Sequence, residues 1–335
     1  MVARDTADRM PGAARDQPKS TREWNWHPDL PIGGSPLFAW PPRPIQACKH
    51  LVQGTFFSVE RLLFLALAVL TWLFLRAGLD GGVLSFGFVV QTYVVNVILM
   101  LVVAGGLHLF FYRFARQGQH LKFDSTGLEP NHARFTFHDQ TRDNMFWSLA
   151  SGVTVWTAYE LWVLWGFDGG VISILRFADH PLWFVLLFPL VLLWYSVHFF
   201  VVHRLLHTRA LYRPVHSLHH RNVSTGPWSG ISMHPIEHIM YFSSLLIHFV
   251  IPSHPIHLFF HMYWLSLGAA TSHTGFDALV VKGKRVLAIG YFHHQLHHRY
   301  FRCNYGSDDV PLDDWTGSFH DGTREATSRF RSTPT

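Results

Sequence analysis

Four long apolar runs, at about residues 58–79, 84–112, 144–165 and 181–203, limit what this chain can fold into. Each approaches or exceeds the roughly 20 apolar residues that cross a hydrocarbon core of about 30 Å. A fifth apolar stretch, 239–272, is broken by Pro252-Ser-His-Pro255. Its first piece is too short for a straight crossing, so a re-entrant or half-buried helical hairpin is expected there. Charged residues are only 15% of the chain, against roughly 25% in soluble domains, which argues against the two soluble domains that 335 residues could otherwise fill. Glu160, inside the third run, is costly unless it faces the protein interior.

Charge gives the runs a direction. Arg113, Arg116, Lys122, Arg134 and Arg142 lie between the second and third, and Arg43, Lys49 and Arg61 precede or open the first. The stretches 80–83, where Asp80-Gly-Gly reads as a tight hairpin, and 166–180 contain only Arg176 as a basic residue. The positive-inside rule then places the N-terminus and residues 113–143 in the cytoplasm, and four crossings return the chain there near His203. The formal charge of +5 comes mostly from Arg in polar segments, which suits an anionic bilayer face. No basic stripe with interleaved aromatics is present, so no nucleic-acid partner is expected. Cys48 and Cys303 make no disulfide framework, and no signal-peptide pattern opens the chain. Arg greatly outnumbers Lys and no retention signal is visible, favouring a bacterial inner membrane over endoplasmic reticulum.

On this basis residues 1–55 are a polar tail expected to be disordered, with Trp24-Asn-Trp26-His-Pro and Phe38-Ala-Trp-Pro-Pro42 its only hydrophobic punctuation. Residues 56–143 hold two transmembrane helices and a cytoplasmic loop, 144–320 a catalytic domain, and 321–335 a flexible tail.

Seventeen of the 25 histidines fall between His198 and His298. Three clusters have ligand spacing: His203 with His207, His216 with His219 and His220, and His294 with His297 and His298. At i, i+3 and i+4 each set shares one face of a helix. Eight imidazoles suffice for two metal ions, with positions left open. Imidazole suits iron, zinc and copper, and matching cysteine clusters are absent. His273, after the hairpin, is a ninth candidate. His234, Glu237 and His238 could add ligands or orient an imidazole N–H. His293 precedes the last cluster, and His198 sits off the face of His203. The expected fold class is therefore an all-α integral membrane protein, with about four transmembrane helices, a re-entrant hairpin and a cytoplasmic histidine-rich metal-binding cap. A histidine-rich metal transporter is the alternative, although its ligands would lie near mid-membrane. A bis-histidine haem protein would need single histidines paired across two helices instead of HxxHH triplets.

At these residues the sequence resembles the fatty acid hydroxylase superfamily, which includes sterol desaturases. His203-Arg-Leu-Leu-His207, Leu211-Tyr212 leading to His216-Ser-Leu-His219-His220, Pro227-Trp-Ser-Gly230, His234-Pro-Ile-Glu-His238, the closing HHxxHH, Asn304-Tyr-Gly306 and Asp314-Trp-Thr-Gly317 follow that family's order. The likeness covers roughly residues 140–320. One departure is Ser196, where many members carry an acidic residue, which leaves His198 as a substitute partner for His203. The resemblance implies a lipid C–H oxidase with a non-haem di-iron centre, zinc being an alternative occupant in purified protein. It implies O2 as co-substrate, a lipid substrate and an external electron donor such as a cytochrome b5-like or ferredoxin/reductase system. The chain shows no flavin, nicotinamide or cytochrome b5 motif of its own.

Overall fold

The computed structural model describes residues 23–51, 58–75 and 82–332. Helix α1 (Val59–Leu75) follows the first apolar run; the end of that run and Asp80-Gly81 of the expected hairpin lie outside the described residues. Helix α2 spans Phe86–Arg113 without a break. Helix α3 begins at Gln140–Phe146, widens through Trp147–Val153 and continues as Thr154–Asp168. Helix α4 is Pro181–Leu206, opened by a proline whose missing N–H costs nothing at a helix start.

Two of these, α2 and α4, are long and apolar enough to cross a membrane. Only 22% and 33% of their apolar windows are buried, so neither is the core helix of a soluble protein. Helix α1 likewise exposes Leu63, Leu70 and Phe74. Glu160 of α3 accepts a hydrogen bond from Asn96 Nδ2 of α2 at 2.7 Å, and the same amide lies 3.0 Å from Thr157. A polar contact between helices thus accounts for the buried carboxyl.

The broken stretch becomes α6 (Pro235–Phe242), a tighter 3₁₀ run Ser243–Phe249, and α7 (Pro255–Ser272). Helix α7 is buried almost all round and packs against α1, α3 and α4, with Phe259 and Tyr263 at the centre of the main core beside Trp156 and Phe242. His248, His257 and His261 are fully buried and partnered: His257 donates to the Phe184 carbonyl at 2.8 Å, and His261 meets Ser244 Oγ at 3.0 Å.

The fold is not purely helical. Strands β1 (Ala278–Val281) and β2 (Lys284–Ala288) form an antiparallel hairpin. Lys282 and Gly283 both have positive φ, 51° and 75°, as a two-residue primed turn requires. Residues 23–32 of the expected tail dock on the cap. Trp24, Trp26, Leu30 and Ile32 pack with Phe123 and Phe292, and Asn25 Nδ2 donates to the carbonyls of Gln119 and Lys122 at 3.0 and 2.7 Å. Aromatic burial and those carbonyl acceptors give the segment partners that its polar composition conceals. At the other end, residues Arg324–Ser332 of the expected flexible tail form a helix.

Candidate metal centre

Helix ends and the turns beside them bring the histidines together. His203 and His207 lie at the C-terminal end of α4. A wide turn, Tyr212–His216, leads into the short helix α5 (Ser217–His220). His273 follows the last residue of α7, and α8 (Phe292–Tyr300) carries His294, His297 and His298. The nine imidazoles gather into two groups. His203, His207, His216, His220 and His297 form one, and His219, His273, His294 and His298 the other. Within each group the ligand nitrogens lie within 4.8 Å of one another. Each HxxHH element gives its i, i+4 pair to one group and its i+3 histidine to the other. His216 and His220 thus oppose His219, and His294 and His298 oppose His297.

The inward nitrogens are lone-pair nitrogens. His203 Nδ1 lies 2.6 Å from the Tyr305 carbonyl, His297 Nδ1 2.6 Å from that of Cys303, and His273 Nδ1 2.8 Å from that of Ala269. A carbonyl only accepts, so in each ring Nδ1 carries the proton and Nε2 is bare. His216 Nδ1 donates likewise to Glu237 Oε1 at 2.8 Å. Yet the Nε2 atoms face one another at 3.1 Å for His203 and His216, 3.2 Å for His207 and His297, and 3.1 Å for His273 and His294. Lone pairs held this close repel unless a cation lies between them. Imidazole nitrogens about 2.1 Å from a common ion would stand about 3.0–3.4 Å apart, which matches the observed spacing. Burial, together with the neighbouring imidazoles, holds His216, His219, His220, His294, His297 and His298 well below the usual histidine pKa, in the neutral form that binds metal. Burial pushes the Glu237 carboxyl up; positive charge at the inward edge of His216 would offset that. The residues fit two metal ions with imidazole ligands and no thiolate.

The carbonyl acceptors are themselves braced. Asp313 accepts from Tyr305 N at 2.8 Å, Gly306 N at 2.7 Å and Ser318 Oγ at 2.7 Å. Asn304, at φ 54°, donates to the carbonyls of His293 and His320 and accepts from His320 N at 2.7 Å. Asn304-Tyr-Gly306 and the closing segment thus form one clamp behind His203 and His297. Asp313 carries no ligand spacing and was invisible as a site residue in the sequence.

Other sequence candidates stand outside both groups. His238 is engaged at both nitrogens, by the Ile231 carbonyl and Ser151 Oγ, each at 2.9 Å. His234 caps α6 by accepting from Ile236 N at 3.2 Å. His293 lies 3.9 Å from Asp313 and stacks on Phe319. His198 pairs with Ser243 Oγ at 2.9 Å, so it does not replace the missing acid; the Tyr305 carbonyl takes that role, while Ser196 bonds the Leu192 carbonyl and Ser307. A cavity of about 480 Å³ opens against His203, His216, His219, His273 and His294, walled by Tyr195, Phe199 and Trp264.

Residues 188–318 match the family model described as fatty acid hydroxylase. In this segment the chain is similar to the fatty acid hydroxylase family. Among curated proteins, it is similar to a Delta(7)-sterol 5(6)-desaturase of Gibberella zeae, 31% identical over 120 residues, covering 35% of this chain and 36% of that protein. A Delta(7)-sterol 5(6)-desaturase of Aspergillus fumigatus is 27% identical over 154 residues, 44% of this chain and 43% of its own. Lathosterol oxidase of Mus musculus is 32% identical over 122 residues, 35% and 40% respectively. The matched regions thus span less than half the length of these curated relatives. No solved structure matches the chain. All the gathered histidines except His273 come from cluster motifs, and all nine lie within the matched segment.

Proposed function

We propose that this chain is a membrane-bound, O2-dependent lipid oxidoreductase that hydroxylates or desaturates an unactivated C–H bond. The observation that carries the reading is the pair of histidine groups, with bare nitrogens turned inward, beside a largely apolar cavity. His203, His207, His216, His220 and His297 would hold one metal ion, and His219, His273, His294 and His298 the other. Iron bound there supplies the oxidising chemistry, using O2 and two electrons from a separate cytochrome b5-like or ferredoxin/reductase partner.

The chain's own residues hold and shield that chemistry. The carbonyls of Tyr305, Cys303 and Ala269 keep protons on Nδ1, so the rings cannot rotate or change tautomer without losing a hydrogen bond. Glu237 holds the Nδ1 proton of His216. Tyr195, Phe199 and Trp264 keep water from the face where one substrate carbon would be presented. A sterol-like or long-chain aliphatic substrate suits the cavity, and the sterol names of the similar proteins support the first. Four crossings with the histidine cap in the cytoplasm are consistent with the exposed apolar faces of α2 and α4. The Arg-over-Lys bias is the support for a bacterial inner membrane, whereas the similar proteins named above come from fungi and mouse.

The test is turnover of iron-loaded protein in bilayers with an electron donor and a panel of sterols and long-chain lipids. The expected product gains one oxygen or loses two hydrogens, only under O2. Protein carrying both metal ions that leaves every lipid unchanged would contradict the reading.

A further inference from the structure

Two cavities of this molecule meet at one carboxyl group. The cavity over the histidines and an open groove of about 640 Å³ between α1 and α2 share Glu60, Thr271 and Leu287 in their walls. Among the described residues lining the groove, Glu60 and Thr271 are the polar side chains; Leu63, Leu67, Val103 and Phe110 are typical of the rest. Such a lining suits hydrocarbon, and the groove opens beside helices whose outer faces are apolar.

Glu60 stands in the first turn of α1, and Thr271 Oγ1 donates to its carboxylate. A carboxylate serving only the helix dipole would face water. This one sits instead at the threshold between an apolar groove and the metal-facing cavity. The adjacent cation, Arg61, is held by both oxygens of buried Asp309 at 3.1 Å. In mostly apolar ligand sites, a few placed polar groups set the orientation of the bound molecule. A polar group in such a passage is costly unless it is hydrogen-bonded.

We infer that Glu60, with Thr271, is the specificity-determining acceptor for a hydroxyl group on the lipid substrate. The lipid passes from the bilayer along the groove and is held with its hydroxyl on the Glu60 carboxylate and its hydrocarbon body in the cavity against the histidines. This rests on the lipid-oxidase reading and adds a substrate class to it: a lipid with a free hydroxyl, discriminated from the same hydrocarbon without one.

The test is equilibrium binding to the full chain in nanodiscs, with iron content measured on each sample. The probes are two pairs: a Δ7-sterol with a free 3-hydroxyl and its 3-deoxy hydrocarbon, and octadecanol and octadecane. Wild-type protein is expected to bind the hydroxylated member of at least one pair at least about tenfold more tightly. Glu60→Leu should reduce that preference to within about twofold with iron retained, and Glu60→Gln should lower it severalfold. Equal wild-type affinities within both pairs, or an undiminished preference in Glu60→Leu, would overturn the assignment. Should Glu60→Leu fail to fold, an undiminished preference in both Glu60→Gln and Thr271→Val would do so. Binding without discrimination leaves the lipid-oxidase reading standing; a wild-type chain that binds no probe and no iron brings both down.

Discussion

Main-chain carbonyls fix the proton positions at His203, His297 and His273, and Asp313 in turn fixes the loop that supplies two of those carbonyls. Replacing Asp313 by Asn keeps the shape but puts an amide where the backbone N–H groups of Tyr305 and Gly306 need acceptors. We expect metal affinity to fall about 10–100-fold, with loading of the His203 group affected first, as titration with a competing chelator would report. Glu237→Gln should be milder, since the amide oxygen still accepts from His216 Nδ1. Unchanged affinity in both variants would remove these residues from the support of the site. The nine imidazoles were readable because ligand spacing on a helix is a sequence property. Asp313 was not, because it sits among Asp308, Asp309 and Asp314 with no spacing to set it apart. Carbonyl acceptors have no side-chain signature at all.

At the scale of elements, the HxxHH helices do more than present one face. Their i+3 histidines cross to the second group, so α5 and α8 must meet with both groups in register. The turn Pro227–Ser229 helps set that register. A Cβ on Gly230 would come 2.2 Å from the Ala269 carbonyl oxygen, the acceptor for His273. Gly230→Ala should therefore displace the end of α7 and lower metal content in the His219 group, or prevent folding, at a cost of roughly 1–3 kcal/mol or more. Wild-type metal content and thermal stability would contradict that placement. Pro227-Trp-Ser-Gly230 was visible in the sequence as a motif, but not the backbone it approaches. The β1–β2 hairpin has a weak sequence signature, because Lys282-Gly283 is not a strong turn pair and Lys284 and Arg285 open an exposed second strand. The apolar runs were read more securely: α2 and α4 follow the second and fourth closely, because length and hydropathy are local properties.

For the whole molecule, burying so many imidazoles makes the metal-free chain sensitive to acid. Folded His216, His219, His220, His294, His297 and His298 have pKa values below the ordinary histidine value. Unfolded, they titrate near about 6.5, so below that pH the unfolded chain binds more protons and folding stability falls. Thermal unfolding of chelated protein should be nearly flat from about pH 7.5 to 8.5 and drop steeply below about pH 6.5, with metal shifting the drop to lower pH. A flat profile down to pH 5 would contradict the burial of neutral imidazoles. What the sequence could not supply was the groove meeting the cavity at Glu60, since that junction depends on how α1, α2 and α7 pack.

The central claim is that two metal ions are held by two distinct histidine groups, and metal content per chain tests it most directly. Elemental analysis of purified wild-type protein, His219→Ala, His297→Ala and the double variant should give about two, one, one and zero ions per chain, with iron expected. Zinc at the same stoichiometry would keep the ligand groups and reopen the identity of the working metal. Folded wild-type protein without stoichiometric metal, or single variants that both retain two ions, would contradict the account.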